Sequence, residues 1–344
     1  MQSIYAARAE SRRGLLLIMF AAVLWGTVGI STKTIYHLAT TNPLSIGFFR
    51  LAFSLPVLFS VCWARQGRKM LQVSRGDLGL MTLIGLMTAL YQVCYFGAVA
   101  RAGVAVATVV TLCTAPVMIA VISVAFTRKR PSWSTLLALV GALSGTAVLV
   151  LFQDRGLAPQ GACPLRLTGA DTGGIVLALV SAFSYGLVTL ISQKLAAHRD
   201  PFQSLAISFS VGAAGLFGFA EDMVMTYTPQ AWTLLVYLGT IPTALAYVLF
   251  FKGMRSTSAT AASISTLLEP MVATLLAWFL FGERFTPVGF LGIALLGGSL
   301  LLLYLGATAP MRKAPPCQNS CRLNSSPVNC GRRRQSHGSI LTRI

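Results

Sequence analysis

The chain has 344 residues, of which 55% are hydrophobic and only 10% charged, whereas a soluble domain carries roughly a quarter charged residues. That much apolar surface cannot be hidden in one core, so the composition excludes an ordinary soluble protein and requires a bilayer as solvent. The net charge of +18 does not point to nucleic acid, because the Lys and Arg residues sit between apolar runs and in the two tails, as the positive-inside rule produces.

In chain order, a basic tail over residues 1–13 is followed by ten apolar runs long enough to cross about 30 Å of hydrocarbon. The first half gives Leu15 to Thr32, Leu44 to Ala64, Leu78 to Ala98, Val104 to Phe126 and Thr135 to Phe152. The second gives Gly173 to Ser192, Gln203 to Ala220, Ala231 to Phe251, Ala259 to Phe281 and Val288 to Gly306. The first run resembles a signal peptide at its basic start. Trp25 and Gly26 stand where small residues would mark cleavage, however, and more spans follow. Backbone groups in lipid must be satisfied within the segment, so every run is expected to be a helix. The fold class is therefore an all-α integral membrane protein.

The cations set an expected topology. With the N-terminus inside, the cytoplasmic loops receive Arg65, Arg68, Lys69, Arg75, Arg128, Lys129, Arg130, Lys194, Arg199, Lys252 and Arg255. The outer loops receive Lys33, Arg101, Arg155, Arg166 and Arg284. The bias places both termini in the cytoplasm of a multi-pass plasma-membrane protein, which in a prokaryote is the inner membrane.

The longest internal connection, Gln153 to Thr172, divides the chain near its middle. Across it, Leu83–Arg130 aligns without a gap on Tyr237–Arg284 at a shift of 154 residues, matching Gly85 with Gly239, Phe96 with Phe250, Thr111 with Ser265 and Pro116 with Pro270. At a shift of 160, Trp25-Gly26 meets Tyr185-Gly186. Five spans per half is an odd number, so the second half enters the membrane from the opposite side. The expected domains are a five-helix repeat over 14–152, a linker over 153–172, an inverted five-helix repeat over 173–306 and a basic tail over 307–344. Inverted repeats place a binding site near the midplane at their interface.

Glu269 lies ten residues into its run, about 15 Å along a helix, near the midplane. An acid there faces a cavity or a partner. It could couple transport to protons or anchor a substrate amine. It could equally pair with Arg50, or satisfy backbone groups freed by Pro270. Arg50, near the outer end of the second run, could snorkel to the interface, pair with Glu269 or bind a substrate carboxylate. Thr111 and Ser265 are matched hydroxyls that suit a wet cavity or plain interhelical bonding. Trp25, Tyr185, Tyr91, Tyr95 and Tyr247 are candidate pocket aromatics, with packing as the alternative. Pro116 and Pro270 are candidate hinges or static kinks. Gly141, Gly145, Gly292 and Gly297 are expected to allow close helix packing.

The three His residues fall outside the spans, no HExxH motif exists, and the seven Cys have no zinc spacing. Neither a catalytic site, a metal nor a cofactor is expected. A membrane-embedded enzyme is the weaker rival, and a lipid translocator the other one.

Leu268-Glu269-Pro270, then Phe281-Gly282-Glu283-Arg284, Gly292 and Gly297 resemble the second half of the drug/metabolite transporter superfamily, EamA type. Leu24-Trp25-Gly26 and Arg50 resemble its first half. Lys129 departs from that pattern, standing where the family's first repeat often has an acid. The resemblance implies ten helices, inward-facing termini and export or exchange of amino acids or other small metabolites; the leading expectation is an alternating-access carrier, with a small-molecule substrate, the bilayer and protons as candidate partners.

Overall fold

The computed structural model describes residues 2–127, 131–151, 172–218, 223–281 and 287–306. The linker, the C-terminal tail, Lys129 and Glu283 lie outside the described residues. The described chain is helical throughout, without a strand. The helices are α1 (Gln2–Leu38), α2 (Pro43–Gln66), α3 (Arg75–Ala102), α4 (Val104–Thr127), α5 (Trp133–Leu151), α6 (Thr172–Ala196), α7 (Pro201–Phe217), α8 (Pro229–Gly239), α9 (Ala246–Met254), α10 (Ala259–Thr266), α11 (Leu268–Phe281) and α12 (Pro287–Gly306). A 3-10 turn over Gly67–Leu71 follows α2, and a π-helical turn over Thr240–Leu245 joins α8 to α9.

Nine helical stretches among the described residues are long and apolar enough to cross a membrane. The seventh expected span is α7, an apolar helix of 17 residues that would rise only about 25 Å. Two expected spans are interrupted. The run from Ala231 is α8, the π turn and α9, and the run from Ala259 is α10 and α11, separated at Leu267.

Polar signals at the ends fix where the helices start. Asn42, Ser74, Asp200, Thr228 and Ser258 each accept a hydrogen bond from a backbone N–H of the following first turn, satisfying donors that a helix start leaves orphaned. Pro43, Pro201 and Pro229 then occupy first-turn positions where the missing N–H costs nothing.

Contacts at one end of the bundle show the relative direction of the two halves. Asp77, in the first turn of α3, receives Arg199 Nε at 2.6 Å and meets His198 Nε2 at 3.0 Å, just beyond α6. Arg255, after α9, donates to Ala196 O and Arg199 O, both at 2.9 Å. Ser256 donates to Glu10 O in the start of α1 at 3.0 Å, and Gln203, in α7, reaches Met70 O at 2.7 Å. At this basic end α1, α3 and α7 begin while α2, α6 and α9 finish. Spans of equal rank in the two halves therefore run in opposite directions. The packing is exchanged accordingly: α3 lies on α6 and α7, as α1 and α2 lie on the α8–α9 span, while α2 meets α7 and α5 meets α12.

Where helices touch across the halves, glycine sets the distance. A Cβ on Gly145 of α5 would lie 2.7 Å from Leu296 N of α12, and one on Gly292 would lie 2.9 Å from Leu149 N. Gly297, expected to act likewise, has nothing within 4 Å; it sits a turn further along α12 and off the contact stripe. Gly145→Val is accordingly expected to destabilise the bundle by about 1–3 kcal/mol, the usual cost of overpacking, with Gly297→Val close to neutral. Thermal unfolding of the two variants in the same detergent checks this.

Candidate functional site

The residues that could do chemistry converge where α2, α3 and the π turn meet. A small cavity there is lined by Gly47, Arg50 and Leu51 of α2, Thr88, Tyr91 and Gln92 of α3, and Thr243 and Tyr247 of the α8–α9 span. It has room for little more than one water molecule, so this conformation is closed around its polar groups. A Cβ on Gly47 would come within 2.5 Å of Gln92 Oε1, so glycine is what leaves the amide its space.

The local backbone places Thr243. Pro242 has no N–H to give the Leu238 carbonyl one turn earlier, so the helix loses that bond and takes up a π turn. The Thr243 hydroxyl donates to Leu238 O instead, at 2.7 Å. Its lone pairs remain available, and Arg50 Nε donates to Thr243 Oγ1 at 3.4 Å. In the first half, Thr88 stands at the position of Pro242 and donates to Ile84 O at 2.7 Å within an uninterrupted helix.

Glu269 enters from the other broken span. Pro270 cannot donate to Thr266 O, and the chain turns at Leu267, whose N–H bonds Ile264 O at 3.2 Å. Thr266 donates its hydroxyl to Ser263 O at 2.8 Å. The break leaves Glu269 in the first turn of α11, where the positive end of the helix dipole favours a carboxylate. Gly26 of α1 packs here, a Cβ on it lying 3.1 Å from Glu269 O. Both Glu269 and Arg50 are half-buried. Neither carboxylate oxygen has a hydrogen-bond partner among the described residues, and the described ion pairs are both on Asp77. Arg50 and Glu269 do not close to an ion pair among the described residues.

The expected aromatics divide into three sets. Trp25 packs edge-on to Tyr247 with centroids 4.9 Å apart, and Tyr247 in turn meets Phe209 at 5.1 Å. Tyr91 and Tyr185 face each other at 6.0 Å, and the Tyr185 hydroxyl donates to Thr266 Oγ1 at 3.5 Å. Tyr95 lies further along α3, with its hydroxyl 2.8 Å from Thr108 Oγ1. The matched hydroxyls do not share an environment. Thr111 bonds Ala178 O of α6 at 3.3 Å, while Ser265 bonds back to Ala261 O at 2.9 Å. The two prolines differ as well: Pro270 follows a break, whereas Pro116 lies inside continuous α4. Sequence reasoning missed Gly47, Thr88, Gln92 and Thr243. Gln92 carries a readable signal, as a lone amide beside Tyr91 in an apolar run, but Thr243 gains its place only from the π turn.

A membrane bundle of two oppositely directed, mutually packed halves, with a charged and aromatic crevice at their contact, is the architecture of a secondary transporter. The chain belongs to the EamA-like transporter family, whose model matches it twice, over residues 12–151 and 172–305. Uncharacterized transporter YwfM of Bacillus subtilis is 32% identical over 292 residues, covering 84% of this chain and 92% of the relative. Uncharacterized inner membrane transporter YicL of Salmonella typhimurium is 26% identical over 311 residues, covering 89% and 99%. A solved crystal structure shares the fold with a TM-score of 0.71 at 19% identity, covering 86% of this chain and 99% of that one. Family membership makes this a multi-pass membrane protein of the transporter class.

Trp25 is 5% exposed, and its Nε1 has no hydrogen-bond partner among the described residues. A buried donor without an acceptor contributes nothing favourable. Trp25→Phe, which loses part of the packed ring but no hydrogen bond seen among the described residues, should cost clearly less than Trp25→Ala, which should cost about 3–5 kcal/mol through the cavity it leaves. Detergent melts of both variants, read beside transport, separate the ring's packing from its N–H.

Proposed function

We propose that the protein carries a small polar metabolite across the plasma membrane by alternating access, exporting or exchanging it around the site between Arg50 and Glu269. The supporting observation is that the two opposite charges lie half-buried in the bundle and make no ion pair among the described residues. Charges deep in a membrane protein are costly and mark a substrate or ion pathway. Arg50, beside Thr88, Tyr91, Gln92, Thr243 and Tyr247 in the cavity wall, can take up a substrate's charged or polar groups, and Glu269, outside that lining, a second such group or a proton. With room for about one water, a metabolite needs the halves to part, and the interruptions at the π turn and before Pro270 are the natural places for that motion. Both termini face the cytoplasm in this scheme, with the linker outside.

The test is expression with parallel metabolite profiling inside and outside cells, for wild type, Glu269→Gln and Arg50→Met, each checked for insertion. Wild type should shift one compound class. Either variant, inserted normally, should reduce that shift by about tenfold or more, since a lost charged hydrogen bond is worth that much. Normal transport by Glu269→Gln would remove the acid from the mechanism. If wild type moves no metabolite, the carrier reading fails, and lipid translocation becomes the next measurement.

A further inference from the structure

Thr243 and Thr88 both line the cavity with their hydroxyl protons committed to backbone carbonyls, but only Thr243 meets Arg50. Its hydroxyl proton is spent on Leu238 O at 2.7 Å, a carbonyl that Pro242 cannot serve, so the oxygen can only accept from the cavity side. What it accepts is Arg50 Nε–H. Arg50 has no other hydrogen-bond partner among the described residues. A guanidinium is a rigid planar fork, so a contact at Nε constrains its orientation, and the two terminal nitrogens have no acceptor among the described residues.

We infer that Thr243 is a positioning residue, oriented by Pro242, which holds the Nε edge of Arg50 so that its terminal nitrogens stay free for an acceptor in the cavity. The π turn is then the device that aims the cation. With an ordinary helix at this place, a backbone N–H at position 242 would take Leu238 O and the Thr243 hydroxyl would turn to the carbonyl four residues back, Gly239 O, as Thr88 turns to Ile84 O. The first half, with Thr88 in place of Pro242, builds no such aim, which accords with a site that is not twofold in chemistry. This deepens the proposed role of Arg50 and rests on it, but its geometry can be measured without any transport.

The experiment uses the full chain, purified in nanodiscs with arginine labelled by 15N at Nε and no added ligand. The Arg50 signal is assigned by its loss in Arg50→Lys. Hydrogen exchange of its Nε–H should be slow in wild type and in Thr243→Ser, and about tenfold faster or more in Thr243→Val, the change expected for one charged hydrogen bond. An unchanged rate in Thr243→Val, or a fast one in Thr243→Ser, would overturn the inference. The remaining arginine signals report whether Thr243→Val is folded. If it is not, Pro242→Ala decides, because it keeps the hydroxyl and supplies Leu238 O with a backbone donor. Faster Arg50 exchange in that variant supports the inference, and wild-type protection defeats it. Absence of metabolite transport would leave these rates untouched, so failure of the carrier reading is distinguishable from failure of this one.

Discussion

Arg50 and Glu269 pose the energetic problem around which the rest of the bundle is arranged. Each would lose several kcal/mol of hydration if buried alone, and a direct ion pair would be the simple remedy. The structure does not adopt it. Glu269 is held at the first turn of α11, where the helix dipole favours an anion, and Arg50 is held on Thr243 across the cavity. Their mutual attraction acts at a distance. Keeping the charges apart leaves two groups without an ion-pair partner among the described residues, the feature on which the proposed carrier role rests.

Two helix interruptions make that separation possible, and both are in the second half. Pro242 produces the π turn that presents Thr243, and Pro270 follows the break that presents Glu269. The first half has Thr88 and Pro116 at the matching positions and keeps both helices continuous. Ala115 stands where Glu269 would be under the same shift. The backbone is thus close to twofold in its packing while the site is one-sided. The arrangement divides labour: one half supplies Arg50, Tyr91 and Gln92 on regular helices, and the other supplies groups aimed by broken ones.

The ends of the bundle are closed by different chemistry. At the basic end, Asp77 gathers His198 and Arg199 while Arg255 caps the last carbonyl of α6. Such partly exposed ion pairs contribute only about 0–1 kcal/mol each; their effect is to set register between the halves. At the opposite end the starts of α2 and α8 meet through rings, with Phe49 within 5.6 Å of Tyr227 and 5.1 Å of Trp232, and with Thr41 and Tyr227 hydroxyls 2.6 Å apart.

By itself the sequence determined the class, the helices and the repeat. Long apolar runs leave no alternative to helices in lipid, Pro and capping residues punctuate them, and a constant shift of 154 residues exposes the duplication. It also marked Glu269 and Arg50, because an ionised residue inside an apolar run is conspicuous on composition alone. Tertiary structure decided the rest. Whether Arg50 and Glu269 pair depends on distances between helices far apart in the chain. The differing fates of Thr111 and Ser265 depend on which helix each one faces. Thr243, one hydroxyl among many, became part of the candidate site only because the backbone takes a π-helical turn at Pro242 and a helix from the other half brought Arg50 to it. Periodicity and composition are local and survive in one dimension, whereas a binding site is made of directions, and those exist only once the helices have packed.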